Sequence, residues 1–83
     1  MEIRDWLVNW FANKLNCQKN DINVYADFFE NGYVDSLKIF ELIIEIESYF
    51  NIKFDNDDFL DEETHTIIGL ENLIKSKRNE HLQ

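Results

Sequence analysis

The central feature of the sequence is one long predicted helix with its entry turn, residues 31–50: NGYVDSLKIFELIIEIESYF. Residues 37–50 contain neither glycine nor proline, and their apolar side chains recur at helical spacing. At about 100° per residue, six of them share one broad stripe, which we expect to be the core face of the helix. The stripe consists of Ile39, Leu42, Ile43, Ile46, Tyr49 and Phe50.

The same helix carries a second, narrower apolar ridge that lies roughly 90–180° from the core stripe. The ridge consists of Leu37, Phe40 and Ile44, flanked by Ser36 and Glu47 on one side and by Glu41 and Glu45 on the other. An apolar ridge bordered by carboxylates is typical of a surface that docks a partner. The alternative is a helix that is buried on two sides.

The helix begins at the dipeptide Asp35-Ser36, shortly after Gly32, which permits the backbone to bend before the helix. Either Asp35 or Ser36 is able to accept hydrogen bonds from the unpaired amides of the first turn. A helix N-terminus also favours negative charge, including that of a phosphate ester. An Asp-Ser pair on its own is most simply an N-cap, so a functional interpretation depends on its surroundings.

The segments before this helix predict a first helix and a long connection. Residues 2–16 have apolar side chains over about half of a helical circumference, and residues 16–31 form a loop rich in Asn and Asp. We expect the loop to lie against the bundle through its apolar anchors. These anchors are Ile22, Val24, Phe28 and Phe29.

The C-terminal part predicts one short and one long helix. The acidic residues 55–63 carry Phe59 and Leu60, which we expect to pin a short helical turn. Thr66 is a suitable N-cap for a last helix, on which Ile68 would line the edge of an apolar cleft. Its buried stripe would consist of Ile67, Leu70, Leu73 and Ile74.

These elements together predict an all-α fold, a small antiparallel four-helix bundle with a short third helix and a long first loop. We expect residues 1–83 to form a single domain. Residues 76–83 have no apolar periodicity and are predicted to be a frayed tail.

Charge and composition restrict the partners. The formal net charge is −9, which disfavours nucleic acid and anionic membranes and favours a basic protein partner. Cys17 is the only cysteine, and no apolar run reaches the ~20 residues of a membrane span. The first residues lack the charged start and apolar stretch of a signal peptide. We therefore expect a cytoplasmic protein, monomeric and without membrane contact.

The sequence offers no metal site or catalytic triad. A calcium-binding EF-hand loop needs glycine at its sixth position and glutamate at its twelfth. Counted from Asp55, these positions hold Leu60 and Thr66, so the acidic segment does not match the motif. His65 and His81 are single histidines without nearby partners, and we expect both to face solvent. A small hydrolase acting through Ser36 would need a histidine beside it, so we expect no enzymatic activity.

Several motifs together resemble the acyl carrier protein family, which includes peptidyl and D-alanyl carriers. They are Gly32-x-x-Asp35-Ser36-Leu37, Glu41-Leu42, the run ending at Phe50, the early Phe28-Phe29 and the late Thr66-x-x-x-Leu70. The resemblance covers residues 3–74. It implies that Ser36 carries 4′-phosphopantetheine from coenzyme A through a phosphodiester, and that the terminal thiol holds acyl groups as thioesters. It also implies that Asp35 helps the transferase that attaches the arm.

The same resemblance implies a set of partners. These are a phosphopantetheinyl transferase, an acyl- or aminoacyl-loading ligase and downstream biosynthetic enzymes. They would dock on one surface of the second helix. Its residues are Leu37, Phe40, Glu41, Ile44, Glu45 and Glu47.

The pathway is less defined than the attachment site. Tyr33 and Val34 separate Gly32 from Asp35, whereas fatty-acid carriers usually have one residue there, and Lys38 stands where those carriers are often acidic. These features resemble D-alanyl carriers and carriers of specialised pathways of the polyketide or nonribosomal-peptide kind. The alternatives are a carrier of fatty-acid synthesis and a helical adaptor protein in which Ser36 is never modified.

Overall fold

Three α-helices form the domain in a computed structural model, which describes the backbone of residues 2–82 and the side chains of residues 2–79. The helices are α1 (Ile3–Leu15), α2 (Ser36–Phe50) and α3 (Ile67–Leu82). Three 3₁₀ turns, Lys19–Asp21, Asp58–Leu60 and Glu62–His65, lie in the connections. The described part of the chain contains no strand, which confirms the all-α prediction.

The predicted short third helix is replaced by the last two of these turns, so the bundle has three α-helices and not four. Aspartate side chains cause this break, because they bind nearby backbone amides in place of a helical ladder. Asp58 accepts from the amide of Asp55 at 2.6 Å, and Asp61 accepts from that of Glu63 at 3.0 Å. Leu60 is 78% exposed, so it does not pin the segment as predicted.

The helices α1 and α2 pack antiparallel, as a ladder of side-chain contacts shows. Trp6 packs on Tyr49, Trp10 binds Glu45, and Lys14 pairs with Glu41. Each step of one turn towards the C-terminus of α1 matches one turn towards the N-terminus of α2. The register therefore places the start of α2 near the end of α1.

The core lies between the apolar faces of the three helices. On α2 the predicted stripe is buried at Ile39, Leu42 and Ile46 and partly buried at Ile43 and Phe50. Tyr49 does not belong to it, because it lies at the edge of the stripe with one ring face against Trp6 and remains 56% exposed. The remaining buried apolar residues are Ile3, Leu7, Trp10, Phe11, Ala12, Ile22, Phe28, Val34, Ile52, Ile67, Leu70 and Ile74.

The long first connection is held by Phe28, which is fully buried and stacks on Phe11. Its amide donates to the carbonyl of His65 at 2.8 Å, and its carbonyl accepts from the amides of Tyr33 and Val34. Gly32 has φ +72°, a left-handed conformation that confirms its predicted role in the bend before α2. Phe28 therefore holds the connection against α1 and against the segment that precedes α3.

The start of α3 is capped by Thr66, as predicted, because its hydroxyl accepts from the amide of Gly69 at 2.9 Å. A side chain at Gly69 would overlap the carbonyl of Glu63, so this position packs closely on the preceding 3₁₀ turn. Farther along α3, the nearly buried Glu71 accepts two hydrogen bonds from Arg4, each at 3.0 Å, and this pair ties α3 to α1.

The predicted frayed tail is helical, since α3 continues to Leu82. Two long cationic side chains hold this end of α3 in place. Their methylene groups cover apolar surface, and their charged groups contact acidic or aromatic side chains. Lys77 pairs with Asp58 at 3.0 Å and with Asp55 at 3.4 Å, and Arg78 lies over the ring of Phe50. The side chains of residues 80–83, including the predicted solvent-facing His81, lie outside the described residues.

Truncation of a side chain on each of the two apolar faces of α2 should change stability by very different amounts. Ile46→Ala, at a fully buried position, should lower the free energy of unfolding by about 2–5 kcal/mol. The matched variant Ile44→Ala, on the exposed ridge, should change it by no more than about 0.5 kcal/mol. Urea denaturation measures both, and equal losses would contradict the assignment of the faces.

The pairing of Lys77 should make stability depend on alkaline pH. Burial lowers the pKa of Lys77, but hydrogen bonds and charges from Asp58 and Asp55 outweigh burial and raise this pKa above its ordinary value of 10.5. A raised pKa in the folded state stabilises the fold fully below the unfolded-state pKa, and this contribution disappears as the pH rises through the folded-state pKa. Because solvent screens part of these interactions, Lys77→Met should destabilise the protein at pH 7 by about 1 kcal/mol.

Urea denaturation at pH 7 and above pH 10.5 should show the difference between wild type and Lys77→Met becoming smaller at the higher pH. Lys53→Met, at an exposed position, serves as the control with little difference at either pH. A Lys77→Met difference that stays constant across this range would show that the ammonium charge does not hold the end of α3.

Candidate functional site

The first turn of α2 presents a serine that takes no part in capping. Asp35 is the N-cap, because its Oδ1 accepts from the amide of Lys38 at 2.9 Å. Ser36 is the first residue of the helix and is exposed. Its hydroxyl has no hydrogen-bond partner among residues 2–79. The structure thus resolves the choice between the two capping residues in favour of Asp35.

His65 is half-buried, and the prediction that it faces solvent is wrong. Its Nε2 lies 2.7 Å from the carbonyl of Phe59, and its Nδ1 lies 3.6 Å from Asp27. Its ring also packs edge-on against Phe29 with 4.8 Å between ring centres. Both ring nitrogens therefore face structural partners in the 3₁₀ turns and the first connection, which is a structural role and not that of a base for Ser36.

The ridge of α2 is open to solvent along its whole length. Leu37 is 69% exposed, Phe40 63% and Ile44 65%. The alternative of a helix buried on two sides is therefore wrong. An exposed apolar ridge of three large side chains on one helix is a candidate contact surface.

The three glutamates beside the ridge are each bound to a group of this chain. Glu41 pairs with Lys14 at 3.0 Å, Glu45 accepts from Trp10 Nε1 at 2.6 Å, and Glu47 accepts from the amide of Phe54 at 2.9 Å. Helical spacing predicts that these carboxylates lie beside the ridge, but it does not predict their partners. The recurrence of Trp6, Trp10 and Lys14 on one side of α1 is the signal that would have indicated two of them.

An apolar cleft of about 350 Å³ lies beside the ridge, on the side of Glu47. The exposed Phe40 is part of its rim. Ile68, which was predicted to line such a cleft, is not among its residues, and its amide instead donates to the carbonyl of Val24. The apolar lining residues are Phe29, Ile39, Phe40, Ile43, Phe54 and Phe59.

The described residues offer little support for a metal site, a disulfide or a membrane span. Residues 2–79 contain no group of three or more His, Cys, Asp or Glu side chains that could hold a metal ion. Cys17 is exposed and unpaired. No helix in the described part of the chain is long and apolar enough to cross a membrane.

The exposed serine at the start of α2 is the residue at which the resemblance predicted the cofactor. A family model described as the phosphopantetheine attachment site matches residues 5–74. Because this match covers most of the chain, the protein belongs to that family, whose cofactor is covalently bound 4′-phosphopantetheine.

Relatives of two kinds are similar to the chain. The acyl carrier protein of Azobacteroides pseudotrichonymphae genomovar. CFP2 is 35% identical over 61% of this chain and 60% of the relative. The D-alanyl carrier protein of Leuconostoc mesenteroides is 45% identical over 48% of this chain and 51% of the relative. The D-alanyl carrier protein of Streptococcus equi subsp. zooepidemicus (strain MGCS10565) is 47% identical over 57% of this chain and 65% of the relative.

The chain therefore spans between about half and two thirds of the length of these relatives. No solved structure matches the chain significantly.

The residues at the start of α2 fit the family's cofactor. The hydroxyl of Ser36 is exposed and unbonded, so it is available for esterification. The helix N-terminus provides a favourable potential for the negative charge of a phosphodiester. Lys38, in the same first turn, adds a positive charge nearby.

Proposed function

We propose that Ser36 is the residue to which 4′-phosphopantetheine is attached, and that the protein carries acyl or aminoacyl groups between partner enzymes. One observation carries the proposal. In a chain of the phosphopantetheine attachment family, the serine at the start of α2 is exposed and free, because Asp35 caps the helix in its place. When bound, the cofactor supplies a thiol that holds the cargo as a thioester.

The residues of this chain would position the attachment point. Asp35 fixes the first turn of α2 and leaves the hydroxyl of Ser36 directed to an incoming enzyme. The buried Phe28 holds the preceding connection against α1 and the start of α3. The helix dipole favours the phosphodiester once it has formed. These groups supply orientation and charge, whereas the transferase supplies the activation of the hydroxyl.

Asp35 has a second proposed role towards the transferase. Its Oδ1 is occupied by the amide of Lys38, and Oδ2 has no hydrogen-bond partner among residues 2–79. The carboxylate is therefore held beside Ser36 with one oxygen free to contact a cationic group or metal ion that the transferase brings. In this arrangement Asp35 assists loading without being a general base of this protein.

The ridge of α2 and its carboxylates form the proposed docking surface. Partner enzymes would cover Leu37, Phe40 and Ile44 with an apolar patch and meet the glutamates with basic side chains. Contacts of this exposed kind contribute about 0.2–1 kcal/mol each. The partners would be a phosphopantetheinyl transferase, a loading ligase for an acyl or amino acid and downstream biosynthetic enzymes, all met in the cytoplasm by a monomeric carrier.

We propose a specialised or D-alanyl pathway in preference to fatty-acid synthesis. Two of the relatives described above are named D-alanyl carrier proteins. The two residues between Gly32 and Asp35 and the positive Lys38 also depart from the pattern of fatty-acid carriers. Because the loading enzyme determines which group is attached, the pathway depends on that enzyme as well as on this chain.

Modification of Ser36 tests the carrier role directly. Incubation with coenzyme A, Mg²⁺ and a broad-specificity phosphopantetheinyl transferase should add one phosphopantetheine to the wild type, as measured by intact mass. Ser36→Ala should stay unmodified and should keep the helical circular dichroism of the wild type. Absence of any addition with several transferases would favour the unmodified adaptor, whose partner would bind the exposed ridge.

Charge reversal on the docking surface should slow loading and leave the fold intact. In Glu41→Lys the new side chain lies beside Lys14, and the lost exposed pair should cost no more than about 1 kcal/mol of stability. The rate of phosphopantetheine transfer at low carrier concentration should fall several-fold, most strongly at low salt. Glu62→Lys, an exposed change of equal charge outside α2, is the matched control.

The two variants should therefore differ in loading and agree in stability. Equal slowing by Glu41→Lys and Glu62→Lys would attribute the effect to net charge. A loss above about 2 kcal/mol in Glu41→Lys would instead assign Glu41 a structural role.

A further inference from the structure

A second surface lies on the opposite flank of the ridge from the apolar cleft, between α1 and α2. It is an open groove of about 400 Å³, which we name the α1–α2 groove. Tyr49 and Ile44 are more than half exposed within it, and Trp6 forms its floor as a half-buried ring. Its lining residues are Trp6, Ile44, Glu45, Ser48 and Tyr49.

The neighbouring turn of the helix pair already contains a cation that belongs to this chain. There Lys14 lies over the ring of Trp10 at 5.4 Å and pairs with Glu41 at 3.0 Å. A cation is thus held between a tryptophan of α1 and a glutamate of α2. Cations over tryptophan rings are attracted by the ring electrons as well as by the carboxylate.

One turn farther along the ladder, the same arrangement recurs without a cation. Trp6 and Glu45 occupy the places of Trp10 and Glu41, and Tyr49 adds a second ring 5.5 Å from that of Trp6. The residue four positions after Trp6 is Trp10, which gives Glu45 a neutral N–H instead of a charge. Among the side chains of residues 2–79, no basic group pairs with Glu45.

We propose that the α1–α2 groove binds an arginine side chain of a partner enzyme. The guanidinium would lie against the rings of Trp6 and Tyr49 and bond to Glu45, and an apolar neighbour of the arginine would contact Ile44. This inference rests on the proposed function, since the partner is an enzyme that acts on the carrier. It assigns to α1 a part in partner selection that the ridge alone does not provide.

Charge and geometry select this occupant over others. The net charge of −9 opposes nucleic acid and a second copy of this chain. Arginine fits better than lysine because its planar group stacks on aromatic rings while it forms paired hydrogen bonds with a carboxylate. Ile44 belongs to both the ridge and the groove, so an enzyme docked on the ridge reaches the groove without a gap.

A peptide probe tests the groove on the full chain. A short amphipathic peptide with one arginine between leucines would be titrated into ¹⁵N-labelled protein, with a matched peptide in which neutral citrulline replaces the arginine. The arginine peptide should cause saturable shifts of the Trp6 indole signal and of the amides of Glu45 and Tyr49. The citrulline peptide should bind markedly more weakly, and added salt should reduce the difference between the two.

Variants separate the groove from the general acidity of the protein. Glu45→Gln and Tyr49→Leu should each weaken binding of the arginine peptide, together by roughly five- to tenfold. Glu62→Gln, an equal change of charge outside the groove, should leave it unchanged. Equal affinity for both peptides, shifts confined to Leu37 and Phe40, or no saturable shift would each overturn the inference.

The modification of Ser36 distinguishes this failure from failure of the carrier role. If Ser36 accepts phosphopantetheine but the groove binds neither peptide, the carrier function stands and the groove assignment is wrong. If the groove selects arginine but Ser36 is never modified, the groove belongs to the surface of an adaptor protein. The proposal that its partner is an enzyme acting on a carrier is then wrong.

Discussion

The burial of Phe28 fixes the place at which α2 begins. Its ring stacks on Phe11 with 5.4 Å between ring centres, and its amide and carbonyl bind the backbone on both sides, at His65 and at Tyr33 and Val34. A buried amide or carbonyl left without a partner is costly, so these bonds hold the connection in one conformation. None of them involves Ser36. The serine is therefore positioned by its neighbours while its own hydroxyl stays unbonded, which suits the attachment that we propose for it.

Local periodicity explains which parts of this structure the sequence predicts. The core stripe of α2, the position of the ridge and the capping by Thr66 depend on residues within a few turns of each other, so spacing and residue type predict them. The spacing left open whether the ridge is exposed. Tyr49 lies at the edge of its stripe, where the spacing does not determine whether α1 covers it. The end of α3 is held by Asp55 and Asp58, and His65 by Asp27 and Phe59, through contacts between distant segments that a periodic pattern does not contain.

The three carboxylates of the proposed docking surface differ in how their partners within the chain affect their charge and orientation. Lys14 neutralises much of the charge of Glu41, whereas the indole N–H of Trp10 orients Glu45 and leaves its charge intact. Glu47 is turned towards the backbone of Phe54. Fixed side chains lose less conformational freedom when a partner binds, so all three are preorganised. Glu45 combines a fixed orientation, an uncompensated charge and the nearby rings of Trp6 and Tyr49, which are the features that the proposed arginine contact requires.

The acidic net charge of the protein limits what the exposed ridge can associate with. Three large apolar side chains in a row on one helix of a small domain favour association with any complementary apolar surface, including the same ridge on a second copy. A net charge of −9 makes two copies repel, and the repulsion is largest at short range because salt screens it at longer distances. A basic partner experiences the opposite force at the same surface. The charge thus opposes self-association through the ridge and favours the basic partners that we propose, and the low energy of each exposed contact would allow those partners to leave.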